Sequence, residues 1–248
     1  MRNSTVRTKC LPKGIWKLQR LRHLYLDRQT SLPRTKKNTA ALPNLQVLTS
    51  IDINEDTASH FAKARFPNLR KLGLYSGREE SGILSSLRPL CHLQTLKIDE
   101  LRGFSGPTSI SLTLTKITLV HAALSPDIMG VLGSLTKLQI LKVRGDARLV
   151  LSVLYCNVRS FQQLEVFKMS CLKVLKWHMG QGAMPNLQRL VIERCQFFLM
   201  LPDELWCLSA LRDVEVLHPN PFLAKELQQL QMRDGCKLHV YPPLNPTN

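Results

Sequence analysis

The fold class this sequence predicts is an α/β solenoid: a stack of short parallel strands joined by return segments on the opposite side. The first observation is a period. Nine segments open on a leucine, at Leu21, Leu45, Leu69, Leu93, Leu114, Leu138, Leu164, Leu187 and Leu211, with gaps of 24, 24, 24, 21, 24, 26, 23 and 24 residues. The second is a pattern. Eight of the nine read L-x-x-Φ-x-Φ with Φ apolar, as in Leu69-Leu72-Leu74 and Leu187-Leu190-Ile192, and only Leu45-Leu48 departs from it. The third is coverage. The segments run through nearly all 248 residues, so a single elongated domain over 1–248 is expected.

A period of roughly 20–29 residues with this pattern marks a leucine-rich repeat. The expected form is a horseshoe of nine to ten repeats, with a parallel concave sheet and short helices or loops on the convex side. Period-2 alternation sends the Φ residues inward and the residues between them outward. Strands are expected near 23–26, 71–74, 95–98, 116–119, 140–143, 166–169, 189–192 and 213–216. Leu72, Leu96, Ile117, Leu141 and Leu190 should then be buried.

The elements follow in order. Residues 1–20 read as an incomplete N-terminal repeat with no polar cap before it. Leu11 to Leu18 and Leu201 to Leu208 both spell L-P-x-x-Φ-W-x-L, which places Trp16 and Trp206 in the convex-side core. Pro43-Asn44, Pro67-Asn68 and Pro185-Asn186 make turns into the strands that follow. Residues 56–64 look helical. So does the segment from Ser125, with serine as cap and Pro126 at the first helical position. Residues 218–248 form a C-terminal cap: a helix over 222–230, a last strand over 237–241, and Pro242-Pro243 as the stop.

The composition narrows the class. An apolar fraction of 44% can supply a continuous core, but no run approaches the ~18 residues a membrane helix needs. The start, MRNSTVRTKC, lacks the apolar stretch of a signal peptide. Seven cysteines with no C-x-x-C fit free thiols in a reducing compartment. Cys195, at the Asn/Cys position of the repeat, is expected to be a small buried side chain. A soluble, cytoplasmic chain is therefore expected. The net charge is +16, of which residues 1–40 hold eleven Lys/Arg against Asp27, or +10. A basic balance of this size points to an acidic protein, an anionic membrane or nucleic acid, or simply to a solvated basic face.

Catalytic motifs are missing from the sequence. It has no G-x-x-x-x-G-K-[ST], no H-E-x-x-H, no G-x-S-x-G and no close Cys/His cluster. Glu79-Glu80 sit beside Arg78 and Ser81 in a charged turn. The chain is thus expected not to be an enzyme, and to bind no nucleotide, metal or other cofactor. The outward strand positions say more. Lys71, Tyr75, Lys97, Lys116, Lys142, Arg144, Lys168 and Arg189 are the candidate protein-binding residues of the concave face. Five of them, Lys97, Lys116, Lys142, Arg144 and Lys168, are expected to form a basic stripe free of acidic neighbours, with Glu193, Asp213 and Glu215 at its border. Stacked like charges cost stability, which favours a binding role. Specific nucleic-acid binding is not expected, because stacking aromatics are missing apart from Tyr25 and Tyr75.

Several phrases resemble a known family. KCLPKGIWKLQRLRHLYL (9–26), residues 42–75, residues 110–143 and GAMPNLQRLVIERCQFFLMLPDELWCLSALRDVEV (182–216) are similar to repeats of plant intracellular nucleotide-binding leucine-rich-repeat disease resistance proteins of the coiled-coil class. The family's nucleotide-binding and coiled-coil domains have no counterpart in this sequence, and residues 1–10 enter mid-repeat. A truncated receptor, a fragment or a free-standing repeat protein is therefore expected. The resemblance implies a protein-recognition role in plant defence: sensing a pathogen effector or a guarded host protein, or holding the receptor's own nucleotide-binding domain inactive. A ubiquitin-ligase substrate adapter and an intracellular scaffold are the alternatives. The first needs an upstream F-box-like segment, which this sequence lacks. The second also uses L-P-x-x-Φ-W-x-L repeats.

Overall fold

The computed structural model describes residues 9–35, 40–76, 86–100, 113–122, 124–145, 152–230 and 235–242. The start of the incomplete first repeat, Glu79-Glu80 and the residues from Pro243 onward lie outside this set. The strands are β1 (Lys9–Cys10), β2 (His23–Leu24), β3 (Thr30–Ser31), β4 (Val47–Asp52), β5 (Lys71–Tyr75), β6 (Thr95–Asp99), β7 (Lys116–Val120), β8 (Ile140–Arg144), β9 (Ser152–Cys156), β10 (Val166–Ser170), β11 (Val174–Met179), β12 (Arg189–Glu193), β13 (Asp213–Leu217) and β14 (Lys237–Tyr241). Twelve of them, all but β9 and β11, form one parallel sheet. The expected repeat strands from 71 to 216 all appear, each within a residue of its expected bounds. The first is shorter than expected, two residues instead of four.

The sheet is held by two apolar ladders. Leu72, Leu96, Ile117, Leu141, Phe167, Leu190 and Val214 stand in register across β5 to β13, and all are buried. Leu74, Ile98, Leu119, Val143, Met169, Ile192 and Val216 form the second ladder two residues on. Each repeat therefore buries its face only against its neighbours, the hallmark of a quasi-one-dimensional array.

The departure at Leu45-Leu48 has a physical cause. Leu48 pairs with Leu72 but Ile51, not residue 50, pairs with Leu74, so β4 carries one extra residue. Ser50 takes the strain with a left-handed φ of 58°. Gly73 lies beneath this bulge, where a Cβ would come within 3.2 Å of the Ser50 nitrogen. Its lack of a side chain makes the close approach possible.

Asparagines stitch the turns together. The side-chain amides of Asn44, Asn68 and Asn186 donate to the carbonyls of Gln19, Pro43 and Gln162, one repeat back, at 2.8, 2.8 and 2.7 Å. They satisfy backbone acceptors that the turns leave open. On the convex side lie a 3-10 turn (Lys13–Lys17) and the helices α1 (Glu55–Ala62), α2 (Pro126–Gly133), α3 (Asp203–Trp206) and α4 (Pro221–Gln229). Asn54, Ser125 and Asn220 cap α1, α2 and α4 with side-chain oxygens. Trp16 is buried against Phe66 and His60, and Trp206 packs half-buried on the core.

The return segments add one element beyond the expected short helices and loops: β9 and β11 pair in parallel as a second small sheet. Their inward residues explain it. Leu154, Cys156, Val174, Trp177 and Met179 are buried in alternation with exposed Tyr155, Lys176 and His178, a strand pattern rather than a helical one. The Trp177 indole donates to Cys156 Sγ at 3.3 Å and meets Phe167 edge-on.

None of the seven cysteines is in a disulfide. Burial pushes the Cys156 thiol up to about 12 and the Cys195 thiol up to about 11, so both stay protonated and act as small apolar groups.

Candidate protein-binding face of the sheet

Register arranges the outward residues of the sheet in three rows. The first row runs Lys71, Thr95, Lys116, Ile140, Val166, Arg189 and Asp213. The central row runs Gly73, Lys97, Thr118, Lys142, Lys168, Val191 and Glu215. The third runs Tyr75, Asp99, Val120, Arg144, Ser170, Glu193 and Leu217. All eight candidate residues therefore share one face. They do not make one line: Lys71, Lys116 and Arg189 lie in the first row, Lys97, Lys142 and Lys168 in the central row, Tyr75 and Arg144 in the third.

The stripe is not free of acidic neighbours, which corrects the expectation at its C-terminal end. Lys168 Nζ lies 2.9 Å from Glu193 Oε2, which also accepts from the Ser170 hydroxyl at 3.1 Å. The Lys168 contact is the first cause holding the Glu193 carboxyl below its usual range, and Ser170 adds to it against a burial penalty. Arg189 pairs with Asp213 at 3.4 Å and donates to Glu215. The reason is reach. Lys168 and Arg189 each have acidic partners on the next strand, directly opposite or two residues diagonal, within range of a long side chain. Among the described residues, Lys71, Lys97, Lys116, Lys142 and Arg144 have no such ion pair.

Two troughs indent this face. One, of about 370 Å³, is lined by Lys71, Tyr75, Lys97, Asp99, Asp27 and Gln29. The other, of about 360 Å³, is lined by Thr118, Lys142, Arg144, Lys168, Ser170, Glu193 and Arg194. Arg194, which follows β12, escapes a reading of strand alternation alone, whereas Ser170 stands in an outward row. Ser170 is buried, and Arg194, which lines the trough, takes a left-handed conformation, φ 53°. Glu100, His121, Cys171 and His218 take the same conformation just after their strands. His121 thereby meets Asp99, Nδ1 to Oδ1, at 2.8 Å.

Among the described residues no group of His, Cys, Asp and Glu could hold a metal ion. No described helix is long and apolar enough to cross a membrane.

No protein-family model matches the chain. Individual relatives do. A late blight resistance protein homologue of Solanum demissum is 27% identical over 94% of this chain and 19% of its own length. The late blight resistance protein R1-A of the same species is 28% identical over 92% of this chain and 18% of its own. A disease resistance RPP8-like protein of Arabidopsis thaliana is 26% identical over 83% of this chain and 26% of its own. The chain thus spans about a fifth of the length of the late blight relatives. In sequence, the chain is similar to one stretch of each of these plant disease resistance proteins.

Proposed function

We propose that this chain is a protein-recognition module in plant defence, binding an acidic partner surface on the concave sheet. The observation that carries the reading is the set Lys97, Lys116, Lys142 and Arg144. These cations stand on three consecutive strands of one face without an ion pair among the described residues, while Lys168 and Arg189 on the next strands are ion-paired. A solvated surface gains nothing from stacking like charges, whereas a binding face gains steering and register. The defence role rests on the relatives' names. Sensing of an effector or guarded host protein, or restraint of a nucleotide-binding switch domain in the cytoplasm, is the specific form proposed. The module works by binding, with no catalysis of its own.

The competing surface is the basic N-terminal segment, where Lys13, Lys17, Arg20 and Arg22 are exposed. Stopped-flow on-rates for a fluorescent Asp/Glu-rich probe peptide separate the two. Reversing Lys116 and Lys142 to Glu should slow association and flatten its salt dependence. If only Lys13→Glu with Lys17→Glu slows it, the concave-face reading fails. Silencing the gene in the plant and scoring infection tests the defence role, and unchanged susceptibility would remove it.

A further inference from the structure

Four residues of the second trough stand at the corners of a small rectangle. Lys142 is opposite Lys168, and Arg144 is opposite Ser170. Sheet geometry sets the cross-strand sides at about 4.8 Å and the along-strand sides at about 6.7 Å. Three cations and a hydroxyl donor therefore line one patch, and Arg194 lines it too. A carboxylate already enters this patch. Glu193 takes both the Lys168 ammonium and the Ser170 hydroxyl on a single oxygen, Oε2. Its one charge leaves the patch under-neutralised, since Lys142 and Arg144 make no ion pair among the described residues and Arg194 acts on Glu193 only at longer range.

We propose that this patch is a subsite for a phosphorylated side chain, a phosphoserine or phosphothreonine of the protein partner, with Glu193 as its resident stand-in. The proposal rests on the concave sheet being a protein-binding face. Charge and geometry point to the phosphate. A phosphomonoester near neutral pH carries close to two negative charges and three acceptor oxygens. Those oxygens can meet Lys142, Arg144 and Lys168 from one centre, where a carboxylate meets only the Lys168–Ser170 side. Arg144 supplies a planar donor fork suited to a phosphate. Lys168 and Glu193 in the trough are about one-third exposed, so a free anion would trade water for little. A phosphate carried by a partner already docked on the sheet arrives at a high effective concentration.

The test uses the whole chain and short fluorescein-labelled peptides that differ only at one position: phosphoserine, glutamate or serine. Fluorescence anisotropy should show the phosphopeptide binding about tenfold or more tightly than the glutamate peptide, from the added charge-assisted bonds. Lys142→Ala and Arg144→Ala should each remove most of that preference. Glu193→Gln should strengthen phosphopeptide binding by freeing Lys168 and Ser170. Circular dichroism of each variant confirms that it folds. Equal affinity for the phosphoserine and glutamate peptides, with both still sensitive to Lys142→Glu, overturns the subsite and leaves the acidic-partner reading standing. Weaker binding by Glu193→Gln overturns it too, because the carboxylate would then be part of the binding surface. Inorganic phosphate displacing the peptide at equal concentration would show that the patch takes the free anion rather than a side chain. No phosphopeptide binding at all ends the proposal, while the on-rates of the acidic probe still decide the face.

Discussion

Lys168 Nζ lies 2.9 Å from Glu193 Oε2, across one strand and two residues along it. Both side chains are about one-third exposed, 35% and 32%. The neighbouring cation in the same row, Lys142, has Lys168 opposite it instead of a carboxylate. The two lysines therefore differ in their effect on stability. Lys168→Glu sets two carboxylates together and should lower stability by up to ~1 kcal/mol, a value limited by solvent screening. Lys142→Glu removes a like-charge contact and should leave stability unchanged or slightly higher. Urea melts of both variants at low salt make the comparison. Equal losses would mean that the Lys168–Glu193 pair does not form in solution.

Leu141 tests the register of the whole array. It is fully buried between Ile117 and Phe167 on the flanking strands. Leu141→Ala should cost ~2–5 kcal/mol, as other buried leucine truncations do. In a nearest-neighbour array the loss should spread to the adjacent repeats, with faster amide exchange in β7 and β10 than in β4. A change below about 1 kcal/mol would contradict the burial assigned to this ladder.

Gly145 closes the exit of β8. A Cβ there would fall 2.4 Å from the Cys171 carbonyl oxygen and 3.0 Å from the Cys171 carbonyl carbon, which are backbone atoms of the next repeat and cannot swing aside. The Gly145 amide also donates to the Ser170 carbonyl at 2.8 Å. Gly145→Ala should therefore destabilise by about 1–3 kcal/mol through overpacking. Because Ser170 and Cys171 line the second trough, the variant should also disturb binding there. Thermal melting of Gly145→Ala beside Gly14→Ala, where a Cβ meets nothing within 4 Å, isolates the backbone clash.

His60 links the N-terminal repeats to pH. It is buried, with its ring 5.0 Å from the Trp16 ring. Burial is the main cause holding its pKa below the ordinary value, and the Arg65 charge is the second. The Pro33 carbonyl and Asp56 work against them, and Lys63 adds weakly to the lowering. A histidine whose folded pKa is depressed stabilises the fold above its unfolded value of about 6.5. That contribution is lost as pH falls through the folded pKa, since the unfolded chain takes up the proton first. Melting temperature should thus drop between pH 7.5 and pH 5 by more in the native chain than in His60→Phe, which keeps a ring and removes the titration. Equal drops would place the acid sensitivity elsewhere.

Most of the fold was legible in the sequence because its cause is local and repeated. An apolar residue every second position, recurring about every 24 residues, dictates both the strands and the direction each side chain faces. The capped helices followed from the same kind of local signal at Ser125-Pro126. The outward residues were likewise readable, and all eight candidates do share the concave face. What the sequence could not settle were the contacts between repeats. The pairing of Lys168 with Glu193 and of Arg189 with Asp213 and Glu215 depends on side chains reaching across strands whose sequence separation exceeds twenty residues. The pairing of β9 with β11 depends on Trp177 finding Cys156 and Phe167. The extra residue of β4 depends on Gly73 leaving room beneath it. Periodicity is a property of one segment and its own hydrophobic face. Charge neutralisation, sheet pairing on the convex side and tolerance of a bulge are properties of two segments at once, and only the folded stack brings those pairs into contact.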